Sequence, residues 1–506
     1  MPSAIQLRLA APFEELLRRL VALFDARGVA AYASGGFLRD AILGLPLHDL
    51  DISISGDPLE VGPQVADAFG GDYFPLDEER RLVRLLLPDR GVQLDILPLR
   101  GDIGDDLRGR DYTVDAMAAS LQEVAGGQID LIDPTGGLRD LRAGLIRAVS
   151  EQAFVEDPLR LLRGARLATQ LDFQVEEGTA ALIRRHAATV TTAAVERQRD
   201  ELIRTLSTPR AATGLRLMEG LGLLCHVLPE LNVVRDVAQP KEHHWDVFGH
   251  SLEAVAALDV ILGEEAPAGD GVAQELWAEL WGQLGWWDDA RDYFRRQVVA
   301  GSPRSAVLKL GGLLHDIGKP ETKSFDETGR MRFFGHSDAG ADIASRLLGR
   351  LHFSSRESDL VRTMIKAHLR PLQMSQSASG RPSDRAIYRF FRDCGDAAID
   401  TLFLSLADHR ATVGPRLSME GWRQHAALVN YILTKRFRET AVVQPPKLLR
   451  GDELMSELGL APGPQIGQML EVIREAQAAG EVTTKEEALE LARSALASGR
   501  LAKDIT

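Results

Sequence analysis

The alternation of acidic and apolar residues at positions 49–54 constrains the fold more than any other feature of the chain. Asp49 and Asp51 lie two residues apart, and the apolar Leu50 and Ile52 alternate with them. Residues i and i+2 of a strand project to the same face. The pattern therefore predicts a half-buried strand with an apolar face in a core and two carboxylates side by side on the other face.

Two parallel carboxylates repel each other unless a cation lies between them, so we expect Asp49 and Asp51 to bind Mg²⁺. Gly35 and Gly36 precede this strand, and a turn made of glycines lets the backbone approach a triphosphate and direct N–H groups at it. Asp95 lies in a second strand pattern, VQLDILPL. If the two strands are neighbours, three carboxylates converge and can hold two metal ions for nucleotidyl transfer.

The composition excludes several classes of protein. The chain has 506 residues, of which 45% are apolar and only 6% aromatic, which predicts several domains with large cores and a lean towards helix. Two cysteines, Cys225 and Cys394, are too few for a disulfide framework and fit a reducing compartment. No apolar run is long enough to span a bilayer. We therefore expect a cytoplasmic protein with no membrane partner.

The net charge of −14 does not exclude a nucleic-acid partner, because binding depends on local patches rather than on mean charge. Arginines cluster at Arg160, Arg163 and Arg166, and again at Arg184, Arg185, Arg197, Arg199 and Arg204. Each arginine alone is typical of a solvated helix face. As a group they predict a track for phosphates.

Strand and helix signals divide the chain. After an amphipathic helix at 12–27, short β-prone runs alternate with Gly/Asp turns as far as about residue 140, whereas from about residue 154 the 3.6-residue period dominates. The stretch 262–303 is less regular and is interpreted as an insertion between helices. QPP at 444–446 marks a linker before a last helical segment. The pattern predicts a mixed α/β region followed by helical domains.

Further motifs follow the glycine and D-x-D motifs in a fixed order. They are RDYTVDAMA at 110–118, DPTGGLRDL at 133–141, EDPLRLLRGARLA at 156–168 and VERQRDEL at 195–202. Together these motifs resemble the class II tRNA nucleotidyltransferases, or CCA-adding enzymes, and the related bacterial poly(A) polymerases. The similarity covers roughly the first half of the chain and returns at 448–467.

The resemblance implies roles for individual residues. Catalysis and Mg²⁺ binding would fall to Asp49, Asp51 and Asp95, and nucleotide binding to Gly35, Gly36, Arg39, Arg110, Asp111, Asp157, Arg160, Arg163 and Arg166. The motif at 110–118 departs from the family pattern, because Asp115 stands where an asparagine is usual.

Asp157 and Arg160 can be argued physically as well. Three residues apart, they would share a helix face. A carboxylate only accepts hydrogen bonds and a guanidinium only donates them. Cytosine and adenine each offer an amino donor beside a ring-nitrogen acceptor and so match this pair. Uracil and guanine instead present an N–H where the guanidinium also donates, which leaves two donors opposed. The pair could therefore select C and A without a template. The alternative interpretation is structural: Asp157 before Pro158 is a good N-cap, and Glu156 with Arg160 is an ordinary i,i+4 pair.

A second departure concerns a loop. Only LPLRGDIGDDLRG at 97–109 separates the third acidic strand from the RD motif, where most family members have a longer, flexible loop. In this family a shortened loop is associated with enzymes that add only the two cytidines, so CC addition is a specific alternative.

A second set of metal-binding residues occurs in the order of an HD phosphohydrolase domain. It comprises His250, the pair His315 and Asp316 in LLHDIGKP, and Asp408, with His336 and His368 at the positions of additional ligands or phosphate binders. Adjacent residues on a helix point about 100° apart, so the His-Asp pair needs ligands from other helices. Imidazoles with carboxylates suit a divalent metal that activates water for phosphoester hydrolysis.

The sequence thus predicts an α+β multidomain enzyme. We expect a nucleotidyltransferase α/β head with a small mixed sheet at 1–140, an all-α neck at 141–240, an HD-type body at 241–415 and a helical tRNA-binding tail at 416–506. The expected reaction is addition of the 3′-terminal CCA of tRNA from CTP and ATP, with tRNA bound by its acceptor end.

The alternatives are CC addition, poly(A) polymerase activity, an HD phosphohydrolase with a degenerate head, and a non-catalytic tRNA scaffold. The oligomeric state and the identity of the HD metal stay open.

Overall fold

The computed structural model describes residues 5–7, 9, 11–47, 49–87, 92–283, 287–375 and 380–497. These residues form two compact units. The first comprises Met1–Glu201 with Leu217–Val227, and the second comprises Leu202–Arg216 with Leu228–Thr506. The division of the chain into four domains stays a prediction.

The first unit is built around a mixed six-stranded sheet. Its strands are β2 (Ala31–Ser34), β3 (Asp49–Ile54), β4 (Asp72–Asp77), β5 (Leu82–Leu87), β6 (Val92–Pro98) and β7 (Ala118–Ser120), in the order β4-β5-β6-β3-β2-β7. Strands β3 and β6 are parallel, and the other neighbours are antiparallel. Two short pairs complete the strands of this unit: β1 (Ile5–Gln6) with β8 (Gln128–Ile129), and β9 (Leu145–Ile146) with β10 (Gln174–Val175).

Twelve α-helices are described between residues 11 and 227. They are α1 (Ala11–Asp25), α2 (Gly35–Leu43), α3 (Pro58–Phe69), α4 (Ile103–Arg108), α5 (Leu121–Gly126), α6 (Gly137–Ala143), α7 (Gln152–Glu156), α8 (Leu159–Leu171), α9 (Glu177–His186), α10 (Val195–Leu206), α11 (Ala211–Gly220) and α12 (Leu224–Val227). Their ends follow local chemistry: Asp57 caps α3 by accepting from Leu59 N, and Gly70 ends it in the left-handed conformation.

The second unit is helical. It contains α13 (Val247–Ile261), α14 (Gly271–Gln283), α15 (Trp287–Arg295), α16 (Arg304–Leu314), α17 (Lys319–Thr322), α18 (His336–Arg350), α19 (Ser355–Ala367), α20 (Arg370–Met374), α21 (Asp384–Cys394), α22 (Ala398–Val413), α23 (Met419–Phe437) and α24 (Thr440–Val443). Its strands are two short hairpins, β11 (Gln297–Val299) with β12 (Ser302–Pro303) and β13 (Ser324–Phe325) with β14 (Met331–Arg332).

The last three helices have a core of their own. They are α25 (Gly451–Leu458), α26 (Pro464–Ala478) and α27 (Lys485–Ala497). Leu454, Met469 and Ala488 are buried in this core, one from each helix. The helices follow the QPP segment at 444–446, where a linker was predicted.

The observed architecture confirms the predicted α+β class, with a small mixed sheet followed by helices. The segment 262–303 is largely helical, because α14 and α15 occupy most of its described part, and its interpretation as an insertion stays a prediction. The structure also adds β4 and β7, two strands at the ends of the sheet that the pattern did not indicate. Among the described residues, no helix is long and apolar enough to cross a membrane.

Candidate active site and a second metal cluster

The predicted carboxylates meet on the open face of the sheet. Strands β3 and β6 are parallel neighbours, and Asp51 lies directly opposite Asp95 in their register. Asp49 is exposed and lies on the same face, whereas Leu50 and Ile52 are fully buried. The alternation that predicted the strand thus also places all three acids on one side of the sheet.

This grouping shows in the pKa of Asp51, which is raised to about 6 by burial and then by the negative charge of Asp95. A cation between the carboxylates would remove that repulsion. Space is also reserved beside Asp51: a Cβ on Gly35 would lie 3.0 Å from Asp51 Oδ2 and 3.0 Å from Arg110 Nη1. The residues present therefore fit a divalent metal with oxygen ligands.

Gly35 and Gly36 begin helix α2 directly after β2, so the predicted turn is a helix N-terminus. Gly35 has φ +68°, in the region that favours glycine. Gly35 lies beside Asp51, and the first N–H groups of a helix have no partner within the helix, so they can bind an anion.

Arg110 lies at the centre of this face. Its Nη2 donates to Ser34 Oγ at 2.8 Å and to Ser53 Oγ at 3.2 Å, and it also contacts Asp106 at 3.2 Å. Asp111 is buried, and Arg163 Nε lies 3.0 Å from its carboxylate. These contacts hold both side chains of the RD motif in place, and Arg110 lies beside Asp51.

Asp115 organises two of the residues predicted to bind the nucleotide. Arg39 Nη1 donates to Asp115 at 2.5 Å and Arg163 Nη2 at 3.2 Å. Burial raises the pKa of Asp115, but the charges of Arg39 and Arg163 outweigh this and hold the pKa below its ordinary value. Arg39 is itself buried and also donates to Asp40. Asp115, which stands where an asparagine is usual, therefore binds both arginines. The role of the two arginines in nucleotide binding stays a prediction.

The structure corrects the expected geometry of the selecting pair. Asp157 lies between α7 and α8 in an extended conformation, so it does not share a helix face with Arg160. Its carboxylate accepts from Leu159 N at 3.2 Å, which is the capping contact, and forms an ion pair with Arg197 at 2.7 Å. Arg160 donates to Ala153 O. Proline after Asp157 forces the backbone out of the helical region, and selection of the base stays a prediction.

Arg166 is buried and bound within the unit. Its Nε donates to Glu201 at 2.6 Å and its Nη1 to Gln170 at 2.7 Å. Glu201 lies on α10, within the VERQRDEL motif at 195–202. Arg166 thus connects α8 to α10, and its contact with a nucleotide stays a prediction.

Replacing Glu201 with Gln should lower the free energy of unfolding by about 3 kcal/mol, because it removes the buried carboxylate to which Arg166 Nε donates. Urea denaturation at neutral pH measures this. Asp200→Asn is the matched control, since Asp200 is half exposed and its replacement should cost at most about 0.5 kcal/mol. An equal loss in both variants would contradict the role given to the pair.

Arg84 was missed by the sequence interpretation. It lies on β5 opposite Asp95 and forms a bidentate ion pair with it, with Nε to Oδ1 and Nη2 to Oδ2 both at 2.8 Å. The signal in the sequence is a single arginine within the otherwise apolar run LVRLLL. This signal does not identify Asp95 as the partner of Arg84.

A second cluster lies in the helical unit. His250 Nε2 lies 3.0 Å from His315 Nε2, 3.3 Å from Asp316 Oδ2 and 3.1 Å from Asp408 Oδ1. His250 comes from α13 and Asp408 from α22, while His315 and Asp316 directly follow α16. The four residues predicted as one ligand set are therefore brought together.

The other oxygen of Asp316 faces a second histidine pair. Oδ1 lies 3.5 Å from His336 Nε2 and 3.9 Å from His368 Nε2. Asp316 is thus shared by two groups that could each hold a metal ion, His250–His315–Asp316 and Asp316–His336–His368. Burial raises the pKa of Asp316, but Lys319 and His315 lower it more, so the pKa lies well below its ordinary value.

Backbone contacts orient three of the imidazoles. The Nδ1 atoms of His315, His336 and His368 lie 2.8, 2.7 and 2.7 Å from the carbonyl oxygens of Gly312, Phe333 and Ile365. Each Nδ1 therefore donates its proton, which leaves Nε2 as the acceptor that a metal ion needs. The donor set fits a divalent transition metal or Mg²⁺.

Two family models match parts of the chain. One is described as the probable RNA and SrmB-binding site of polymerase A and matches residues 172–234. The other is the HD domain and matches residues 272–412. The second match includes five of the six residues of the metal cluster, and His250 precedes it.

Curated relatives match nearly the whole length. An A-adding tRNA nucleotidyltransferase of Deinococcus radiodurans is 35% identical over 462 residues, covering 90% of this chain and 93% of the relative. A CC-adding tRNA nucleotidyltransferase of Thermus thermophilus is 35% identical over 467 residues, covering 90% of this chain and 92% of the relative.

Solved structures share the fold. A Thermotoga maritima CCA-adding enzyme complexed with tRNA aligns over 97% of both chains with a TM-score of 0.58 and 22% identity. A CCA-adding enzyme in complex with CTP aligns over 97% of this chain and 96% of the other, with a TM-score of 0.60 and 22% identity.

Proposed function

This chain belongs to the tRNA nucleotidyltransferase family, and from this we propose that it adds the two cytidines of the CCA end to the 3′ end of tRNA. The reaction joins the 3′-hydroxyl of the RNA to the α-phosphate of CTP and releases pyrophosphate. The observation that supports it most is the row of carboxylates across β3 and β6, with Asp51 and Asp95 opposite each other.

Asp49 and Asp51, with Asp95 as the third acid, would hold Mg²⁺, whose chemistry is to activate the attacking hydroxyl and to offset charge on the triphosphate. The N-terminus of α2 at Gly35 and the guanidinium of Arg110 provide donors for phosphate oxygens. Ser34 and Ser53 keep Arg110 in place through their hydroxyl groups.

The choice of nucleotide is supported by the connection after β6. Strand β6 ends at Pro98 and α4 begins at Ile103, so little chain is available for a flexible loop at this point. In the family that the motifs resemble, a short connection accompanies addition of the two cytidines, and the Thermus thermophilus relative has that name.

Two specific alternatives remain for the nucleotides that the enzyme adds. Full CCA addition from CTP and ATP was the principal expectation from the sequence. Addition of the terminal A alone is favoured by the Deinococcus radiodurans relative, which is as similar as the CC-adding one. A cytoplasmic location fits any of these activities, because tRNA maturation takes place there.

Three tRNA transcripts separate these activities: one ending at the discriminator base, one ending in C and one ending in CC. Each is incubated with Mg²⁺ and with CTP, ATP or both, and the products are resolved on a sequencing gel. We expect the first to grow by two residues with CTP alone and the third not to grow with ATP. If the transcript ending in CC grows with ATP, the enzyme adds the terminal A. It then adds the whole CCA if the transcript ending at the discriminator base also grows with CTP, and only the A if that transcript does not grow.

We propose metal-dependent hydrolysis of a phosphoester as a second activity, located at the HD cluster. The observation that favours it is the position of Asp316 between two histidine pairs, since two metal ions sharing one carboxylate suit hydrolytic displacement at phosphorus. Hydrolysis of p-nitrophenyl phosphate and of bis-p-nitrophenyl phosphate, each with Mn²⁺, Ni²⁺ or Mg²⁺, tests it. Absence of hydrolysis of both compounds with all three metals would contradict this second activity.

A further inference from the structure

Three charged side chains lie in a row across three neighbouring strands of the sheet. Arg84 on β5 is directly opposite Asp95 on β6, and Asp95 is directly opposite Asp51 on β3. All three project from the open face, because each occupies the position that alternates with a buried neighbour. The cation at the end of the row therefore belongs to the same surface as the acids.

The contact between Arg84 and Asp95 is specific. Both oxygens of the carboxylate are engaged, at 2.8 Å each, and only 14% of the Asp95 side chain is exposed. Fork-to-fork pairs of this kind fix the plane of the carboxylate as well as its position. Asp95 thus cannot rotate freely relative to Asp51.

The pair also changes the charge of the site. With Asp49, Asp51 and Asp95 ionised, the three carboxylates carry three negative charges, and Arg84 pairs with one of them. The affinity of a site of oxygen ligands for a divalent cation depends on the number of ligand charges and on the rigidity of the site. Arg84 acts on both quantities through one side chain.

We propose that Arg84 is a positioning residue of the nucleotidyl-transfer site: it holds Asp95 in the orientation that nucleotidyl transfer requires and moderates the affinity of the site for the metal. This inference rests on the proposed function, because it assumes that Asp95 belongs to the metal site. The competing explanation is that Arg84 and Asp95 form a cross-strand pair that only stabilises the sheet.

Direct Mn²⁺ binding to the full chain, followed by electron paramagnetic resonance, distinguishes the two explanations. The head site is defined as the Mn²⁺ that binds the wild type but not Asp51→Asn, which separates it from any Mn²⁺ at the HD cluster. The variants are R84Q, R84K, D95N and R84Q/D95N. R80Q is the matched control, because Arg80 is exposed and pairs only loosely with Asp77 at 3.7 Å.

We expect R84Q to lower the Mn²⁺ Kd of the head site about fivefold, because it frees one carboxylate charge. The same substitution should have no effect in the D95N background, since Arg84 acts through Asp95. R84K keeps the positive charge but loses the bidentate contact with Asp95. Its Mn²⁺ Kd should therefore stay within about twofold of wild type, while the kcat of cytidine incorporation into tRNA falls about tenfold. R80Q should change neither quantity.

An unchanged Kd in R84Q, with weaker binding in D95N, would overturn the role of Arg84 and leave the proposed function intact. An effect of R84Q that persists in the D95N background would overturn it equally. If neither D95N nor D51N alters Mn²⁺ binding, the carboxylate site itself fails, and with it the basis of the proposed function. Should R84Q not fold, R84K decides: unchanged Kd and unchanged kcat would overturn the inference.

Discussion

Replacing Asp51 with Asn should reduce nucleotide addition about a thousandfold or more, while the protein stays folded. Asn has the size of Asp but no charge, so the site loses a metal ligand and keeps its packing. The measurement is the initial rate of cytidine incorporation into tRNA at saturating CTP and Mg²⁺.

The same substitution should stabilise the metal-free protein at high pH. Because the pKa of Asp51 is raised to about 6 in the folded protein, the folded state holds a proton that the unfolded state releases above its ordinary pKa. Ionised Asp51 therefore costs stability above pH 6, by roughly 3 kcal/mol. Metal-free Asp51→Asn should melt higher than wild type at pH 8, and the difference should shrink towards pH 5.

Asp72→Asn is the control for this prediction. Asp72 is an exposed acid on β4, at the outer edge of the same sheet, and its replacement should leave both activity and melting temperature unchanged. Retention of more than about a tenth of the activity in Asp51→Asn would contradict the assignment of Asp51 as a metal ligand.

The arrangement of the acids could be predicted because it depends on a local rule. Period-two alternation places Asp49 and Asp51 on one face whatever the rest of the chain does. Asp95 lies in a second alternating strand, and the three carboxylates were expected to converge if that strand lies beside the first. The register that puts Asp51 opposite Asp95 confirms that interpretation.

The side chains that hold these acids could not be predicted in the same way. Arg84 meets Asp95 only because β5 pairs antiparallel with β6, and the partner of a strand depends on the whole sheet. Asp115 and Arg39 lie far apart in sequence and meet through the placement of α2. Long-range ion pairs of this kind leave no periodic signal.

The geometry of Asp157 and Arg160 shows where a local rule was applied to a segment that is not one continuous helix. Spacing of three residues places side chains on one face only inside a continuous helix. Pro158 interrupts that helix, so Asp157 caps α8 and pairs with Arg197 instead of lying beside Arg160. The capping alternative was available from the same residues and describes the observed contact.

Replacing Asp316 with Asn should remove bound metal from the HD cluster and abolish hydrolysis of phosphoesters, while nucleotide addition continues at the wild-type rate. Both oxygens of Asp316 face histidine Nε2 atoms, Oδ2 towards His250 and His315 and Oδ1 towards His336 and His368. A neutral amide cannot supply charge to two cations, so both metal positions weaken together. Elemental analysis after dialysis measures the metal content.

Asp338→Asn provides the matched control, because Asp338 is an exposed acid on α18 whose side chain is 73% accessible and pairs with Lys366. It should leave metal content and hydrolysis unchanged. The comparison with Asp51→Asn then decides whether the chain holds two independent sites. Hydrolysis that survives in Asp316→Asn but disappears in Asp51→Asn would mean that the HD cluster is a scaffold and that one site performs both reactions, whereas the opposite pattern assigns transfer to the sheet and hydrolysis to the histidines.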